Sequence, residues 1–95
     1  MSAPPVTHEE DRHRFVIPSD EGDAEALYVR RGKTLVLTHT EVPPAHEGQG
    51  WATALAESAF AYARENGLEV DPACAFMRAY AARHPEWRDI VVARK

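Results

Sequence analysis

Gly48 and Gly50 stand on either side of one residue, just ahead of an alanine-rich stretch, and this spacing can bind an anion. Glycine lets the backbone approach a ligand closely, and the first N–H groups of a helix have no partners within the helix. Together with the helix dipole, such N–H groups form a site that commonly holds phosphate. A tight loop without a ligand explains the two glycines equally well, so the spacing alone leaves both interpretations open.

Cys74, His39 and Glu41 have side chains suited to nucleophilic or acid–base chemistry. Cys74 is the single cysteine and follows Asp71 and Pro72, which we predict to be the N-cap and first position of a helix. The dipole of that helix favours the thiolate form of Cys74, and the nearby Asp71 disfavours it. The alternative to a reactive thiol is that Cys74 is a small buried core residue. His39 and Glu41 lie one alternation apart on a predicted strand. An imidazole there could be a base for an amine or for Cys74, or make a structural hydrogen bond.

The other histidines show no spacing typical of a metal site. His8, His13 and His46 are scattered along the chain, and Cys74 has no second cysteine with which to share an ion. We therefore expect no metal.

Three predicted strands precede the glycines. They cover residues 13–17, 24–31 and 34–42, with a tight turn at Gly32 and Lys33, and together they predict an antiparallel sheet. Alternation in the third strand places Leu35 and Leu37 on the same face as His39 and Glu41. Residues 1–12 lack apolar periodicity and are predicted to form a flexible tail, which leaves 13–95 as a single folded domain.

Two predicted helices follow the glycines. Across residues 49–66, alanines and Leu55 recur at helical spacing and form a narrow face that can approach a sheet closely. Residues 68–70 predict a short strand parallel to the strand before the helix. A second helix is predicted from Asp71 to about residue 84, and an apolar run at 87–93 completes the order β-β-β-α-β-α-β. This order predicts a mixed α/β domain.

Composition excludes several classes of protein. The chain has 95 residues, 44% of them hydrophobic, which is enough for one small core. Its net charge of −4 disfavours nucleic acid as a partner. No apolar stretch approaches the roughly 20 residues that span a bilayer, and the first residues show no secretory signal. With a single cysteine no internal disulfide can form, so we expect a cytoplasmic protein. A short sheet can pair along its open edge, so we expect a monomer or a weak homodimer.

The stretch Glu47-Gly48-Gln49-Gly50-Trp51-Ala52 resembles the pyrophosphate-binding signature of the GCN5-related N-acetyltransferases, which lies between the central strand and the main helix. Three further segments, His-Thr-Glu-Val-Pro (39–43), Pro-Ala-Cys (72–74) and His-Pro-Glu-Trp (84–87), occur in the order found in a small acetyltransferase-like family of this group. The resemblance covers roughly residues 13–92.

This resemblance implies a shortened acetyltransferase fold that uses acetyl-CoA as cosubstrate and an amine as acceptor. Val42 would offer backbone groups to the pantetheine arm, and Tyr80 would protonate the departing thiolate. N–H groups for the pyrophosphate would come from Gly48, Gln49, Gly50, Trp51 and Ala52, with a hydroxyl from Thr53. The family lacks the first helices that normally help form the acceptor site, so the acceptor stays open. A CoA-binding or regulatory module without turnover and a small protein-interaction domain are the alternatives.

Overall fold

A five-stranded sheet carries two helices on one face in the computed structural model, which describes residues 3–92. The strands are β1 Thr7–Glu9, β2 Arg14–Ile17, β3 Ala24–Arg31, β4 Thr34–Glu41 and β5 Glu69–Pro72, and the helices are α1 Trp51–Glu65 and α2 Ala75–Arg83. The strands lie in chain order, with the first three pairs antiparallel and β4–β5 parallel. The predicted mixed α/β class is therefore confirmed, and so is the parallel pairing of the strand that follows α1.

The alanine face of α1 packs on the sheet as the periodicity predicts. Ala56, Ala59 and Ala63 are fully buried, and their small side chains let the helix approach the strands closely. The largest fully buried side chains come from both layers: Phe15, Ile17, Leu35, Leu37, Leu55, Phe60, Val70 and Met77. No helix within residues 3–92 is both long and apolar enough to cross a membrane.

The predicted flexible tail contains an edge strand. Residues Thr7–Glu9 pair with β2, and the ring of His8 stacks on Phe15 with 4.1 Å between ring centroids. Arg14, in β2, helps to hold β1 in place, because its Nε donates to Glu9 at 2.6 Å. Three residues are too few to show a period, which is why the alternation in the sequence does not reveal β1.

The second helix begins later than Asp71 and Pro72 predict. Pro72 is the last residue of β5, opposite Leu37, and the helix starts at Ala75 with Cys74 as its N-cap. Pairing with β4 therefore outweighs the local Asp-Pro signal.

The end of the described chain also differs from the prediction. In place of a strand over 87–93 there is a short 3₁₀ turn, Pro85–Trp87, and one isolated parallel bridge between Val70 and Val91. Residue 93 lies outside the described residues.

Candidate functional site

β4 and β5 pair along only half of β4. The pairing runs from Thr34 opposite Glu69 to Leu37 opposite Pro72. The chain then turns away, because the N–H groups of Ala73 and Cys74 both donate to the carbonyl of Leu37, at 3.0 and 3.1 Å. Residues 38–41 of β4 continue beyond this point with no partner strand on that side in the described chain. An extended backbone edge of this kind can hydrogen-bond an extended ligand.

A bulge in β4 reverses its alternation at the same point. Leu27 pairs with His39 but Tyr28 pairs with Leu37, so Thr38 has no partner in β3. Its hydroxyl donates back to the carbonyl of Leu27 at 3.3 Å. The predicted faces of β4 are therefore right as far as Leu37 and inverted beyond it.

The bulge brings Thr40, and not His39, to Cys74. Thr40 pairs with the buried Ala26, and its Oγ1 lies 3.4 Å from the Sγ of the half-buried Cys74. His39 lies on the opposite, uncovered face, where its side chain is 55% exposed and its Nε2 is 3.5 Å from an oxygen of Glu41. His39 therefore lies on the face opposite Cys74, and its role as a base stays a prediction. Sequence reasoning missed Thr40 because strict alternation assigns it to the other face.

Six of the seven residues predicted to bind the cofactor line a single pocket of about 340 Å³. Its lining residues are Val42, His46, Glu47, Gly48, Gly50, Trp51, Ala52 and Thr53. Gly48 and Gly50 have φ angles of +79° and +82°, the left-handed conformation that favours glycine. A Cβ built on either glycine would meet nothing within 4 Å, so both backbones are open to a ligand. The seventh residue, Gln49, is not part of the lining, and its amide contacts His46 and the carbonyl of Ala45.

The N-terminus of α1 opens into this pocket. Gly50 is its N-cap and supplies no capping side chain, and the first helical bond runs from the N–H of Ala54 to the carbonyl of Gly50 at 3.0 Å. The N–H groups of Trp51, Ala52 and Thr53 therefore have no acceptor inside the helix. The first turn contains no acidic residue, so the positive end of the helix dipole is not neutralised there. This end of the helix could therefore bind an anion such as a phosphate group.

A hydrogen-bonded stack at the rim fixes the loop before α1. The imidazole of His46 lies flat on the indole of Trp51, with 3.9 Å between centroids and 9° between planes. Its Nε2 is 2.7 Å from a carboxylate oxygen of Glu21, and its Nδ1 is 3.2 Å from Oε1 of Gln49. These bonds, led by the one to Glu21, raise the pKa of His46. The sequence alone indicates no role for His46, because Glu21 is distant in the chain.

Tyr80 lies in the core rather than at the pocket. Its side chain packs on Phe60, and its Oη accepts a hydrogen bond of 3.1 Å from the indole of Trp87. Burial is the largest influence on its phenol and raises the pKa of Tyr80. Its role as a proton donor stays a prediction.

A larger cavity of about 430 Å³ lies between α2 and residues 85–92, beside Arg78 and Arg88. It contains none of the residues predicted to bind or react. Arg78 already donates to the carbonyl of Ala73 at 2.7 Å. We assign the site to the smaller pocket because the helix N-terminus opens there. Among residues 3–92 no group of three or more histidine, cysteine or acidic side chains could hold a metal ion.

Comparisons with known proteins agree with this geometry. The pattern of the family described as GCN5-related N-acetyl-transferase matches residues 14–90. Protein NATD1 of Gallus gallus and that of Homo sapiens are each 34% identical to the chain over 83 residues. These matches cover 84% of this chain and 76% and 74% of the respective relatives.

The fold is also that of a GCN5-like protein from Staphylococcus aureus, whose structure was determined in solution by NMR. The two chains superpose with a TM-score of 0.72 at 23% identity, over 100% of this chain and 94% of the other. The fold, the sequence pattern and the relatives therefore agree, and the chain belongs to the GCN5-related N-acetyltransferase family.

Proposed function

We propose that the protein is an acetyl-CoA-dependent N-acetyltransferase that transfers the acetyl group to an amine, either of a small molecule or of a protein lysine or N-terminus. One observation carries the proposal. The anion pocket at the start of α1 is continuous, through Val42, with the open backbone edge of β4, which leads to Thr40 and Cys74.

Each part of acetyl-CoA has a matching group along this path. The pyrophosphate would accept hydrogen bonds from the N–H groups of residues 48–53, with the hydroxyl of Thr53 beside them. The pantetheine amides would pair with the backbone of Val42 and residues 38–41, as an added strand pairs with a sheet edge. The thioester would then lie near Cys74.

In direct transfer the amine nitrogen attacks the thioester carbon, the carbon–sulfur bond breaks, and the CoA thiolate takes a proton. The amine loses its own proton to a base. His39 and Glu41 lie on the uncovered face of β4 and are the groups that could accept it. Their role as a base for the amine stays a prediction.

In the relay the Cys74 thiolate attacks first, which gives S-acetyl-Cys74 and free CoA thiol. The amine then attacks the new thioester, forms the amide and regenerates Cys74. The contact with Thr40 supports a positioned sulfur. Incubation with acetyl-CoA alone, followed by mass spectrometry, separates the two routes. The relay predicts an added acetyl group on wild-type protein and none on Cys74→Ala. Direct transfer predicts no added acetyl group on either protein. Unchanged turnover in Cys74→Ala would exclude the relay.

A CoA-binding module without turnover is the second candidate, and the environment of Tyr80 favours it because the predicted proton donor is buried and its hydroxyl is already hydrogen-bonded to the indole of Trp87. Calorimetry with CoA and a thiol-release assay with acetyl-CoA across a panel of amines test both. Binding with thiol release supports the transferase, and binding with no release across the panel supports the module. Absence of CoA binding would refute both.

A further inference from the structure

The pocket at the start of α1 is lined by few ionisable side chains. Among residues 3–92, its lining contains no lysine or arginine, and the ionisable side chains there are those of His46 and Glu47. A diphosphate in the pocket would meet the helix N–H groups and a repelling carboxylate. Within the described part of the chain, His46 is therefore the lining side chain that can supply a positive charge.

The two hydrogen bonds of His46 favour a ring that carries a proton on both nitrogens. The amide nitrogen of Gln49 donates to the carbonyl of Ala45 at 3.3 Å, so Oε1 of Gln49 is the atom left to face Nδ1 of His46. That oxygen can only accept, and the carboxylate of Glu21 facing Nε2 accepts as well. In the imidazolium form both nitrogens donate, so this form satisfies both contacts.

The ring of His46 is held in place by Trp51, Glu21 and Gln49. Trp51 forms the floor of the stack and is itself 7% exposed, so its ring is fixed by packing. Glu21 belongs to the β2–β3 turn, where its N–H donates to the Ser19 hydroxyl at 3.3 Å and that hydroxyl donates to the carbonyl of Gly22. A cation over an indole face is also favourable in itself. The turn thus positions a charge at the pocket.

We propose that His46, as an imidazolium held by Glu21 and Gln49 and stacked on Trp51, is a positioning residue of the acetyl-CoA pocket that acts on the phosphates through its charge, since its two ring N–H groups already face Glu21 and Gln49. The inference rests on the proposed function, because it assigns the pyrophosphate to this pocket. It adds a cation to the loop, and it makes the β2–β3 turn a part of cofactor binding.

The charge of His46 makes cofactor affinity depend on pH. The charged groups that face it are Glu21, from the turn, and Glu47, which follows it in the loop, while Gln49 and Trp51 contribute neutral contacts. Affinity is highest where the ring is protonated. It falls as the pH rises through the pKa of His46, which lies above its ordinary value because of Glu21.

Calorimetry with dephospho-CoA from about pH 6 to about pH 9 tests the inference, because this ligand keeps the pyrophosphate but lacks the 3′-phosphate, which titrates near pH ~6. We expect His46→Gln to weaken binding about tenfold at the acidic end and to remove most of the pH dependence. Glu21→Gln should move the loss of affinity to lower pH. S-acetyl-pantetheine, which has no phosphate, should bind wild type and His46→Gln alike.

His84→Gln is the matched control, since His84 also stacks on an aromatic ring, Tyr80, and contacts a carboxylate, Glu86, away from the pocket. It should leave the affinity for dephospho-CoA and its pH profile unchanged. Equal binding by wild type and His46→Gln at all pH values would overturn the inference, as would an equal loss of S-acetyl-pantetheine binding. If wild type itself binds no dephospho-CoA, the proposed function has failed instead.

Discussion

Replacing Gly50 by alanine separates the role of this residue in the fold from its role in binding. Gly50 is the N-cap of α1 and has a φ angle of +82°. An L-residue in this left-handed conformation costs about 1–2 kcal/mol, and no steric clash adds to it because a Cβ would meet nothing within 4 Å. For a domain of this size each kcal/mol lowers the melting temperature by about 4–8 °C. We therefore expect Gly50→Ala to melt roughly 5–15 °C below wild type.

The effect of Gly50→Ala on CoA affinity comes from a different cause. The added methyl group would stand in the pocket space that gives a phosphate access to the N–H groups of α1. Loss of one hydrogen bond to a charged group costs about 1.5–3 kcal/mol, and each 1.4 kcal/mol is about tenfold in affinity. Calorimetry with CoA, well below the melting temperature of the variant, should therefore show binding at least about tenfold weaker.

Gly67→Ala is the matched control. Gly67 follows the end of α1, has a φ angle of +67° and has nothing within 4 Å of a built Cβ, but it does not line the pocket. It should lower the melting temperature by a similar amount and leave CoA affinity unchanged. Equal loss of affinity in both variants would show that strain alone weakens binding, and unchanged affinity in Gly50→Ala would refute the assignment of the pocket.

Three further predictions concern the sheet. Leu37→Ala removes a fully buried side chain at the point where β5 leaves β4, and chemical denaturation should show a loss of about 2–5 kcal/mol; a loss below about 1 kcal/mol would contradict the assigned core. Arg14 bonds Glu9, Asp23 and Glu25, so Arg14→Ala should destabilise the protein by about 1–3 kcal/mol, less at high salt, and an effect independent of salt would contradict this. Burial lowers the pKa of His8, so the unfolded chain binds more protons than the native one near the ordinary pKa. The contribution of His8 therefore lowers stability as the pH drops from about 7.5 to about 5, whereas His46, whose pKa is raised, contributes in the opposite sense. In thermal melts His8→Phe should lose less stability than wild type, or gain more, over this range; an equal change in both proteins would contradict it.

The parts of the fold that follow from local pattern were predictable. The predicted limits of β3 match the structure, and the turn at Gly32 and the alanine face of α1 are where the sequence indicates. In each case the period of the side chains and the glycine positions carry the information within a few neighbouring residues.

The parts that depend on distant partners were not predictable. The bulge at Thr38 arises from the register between β3 and β4, and the polar end of β4 alternates plausibly with or without it. Pro72 stays in β5 because Leu37 pairs with it, against a local signal for a helix start. These two departures together decide that Thr40 and not His39 meets Cys74.

The candidate pocket shows the same division. The two glycines and their helix are visible in the sequence, which predicts either an anion site or a tight loop at this point. The contribution of His46 is not, since it depends on Glu21 in another turn and on the ring of Trp51 below it. Only the folded chain brings these three side chains together.

Amide chemical-shift mapping of CoA binding by ¹H–¹⁵N NMR tests the central claim most directly, because it reports which backbone N–H groups meet the cofactor. We expect the largest changes at Val42 and residues 48–53, with smaller ones along 38–41 of β4. Changes centred on the cavity beside Arg78 and Arg88, or no changes at saturating CoA, would contradict the assignment of the acetyl-CoA site to the pocket at the start of α1.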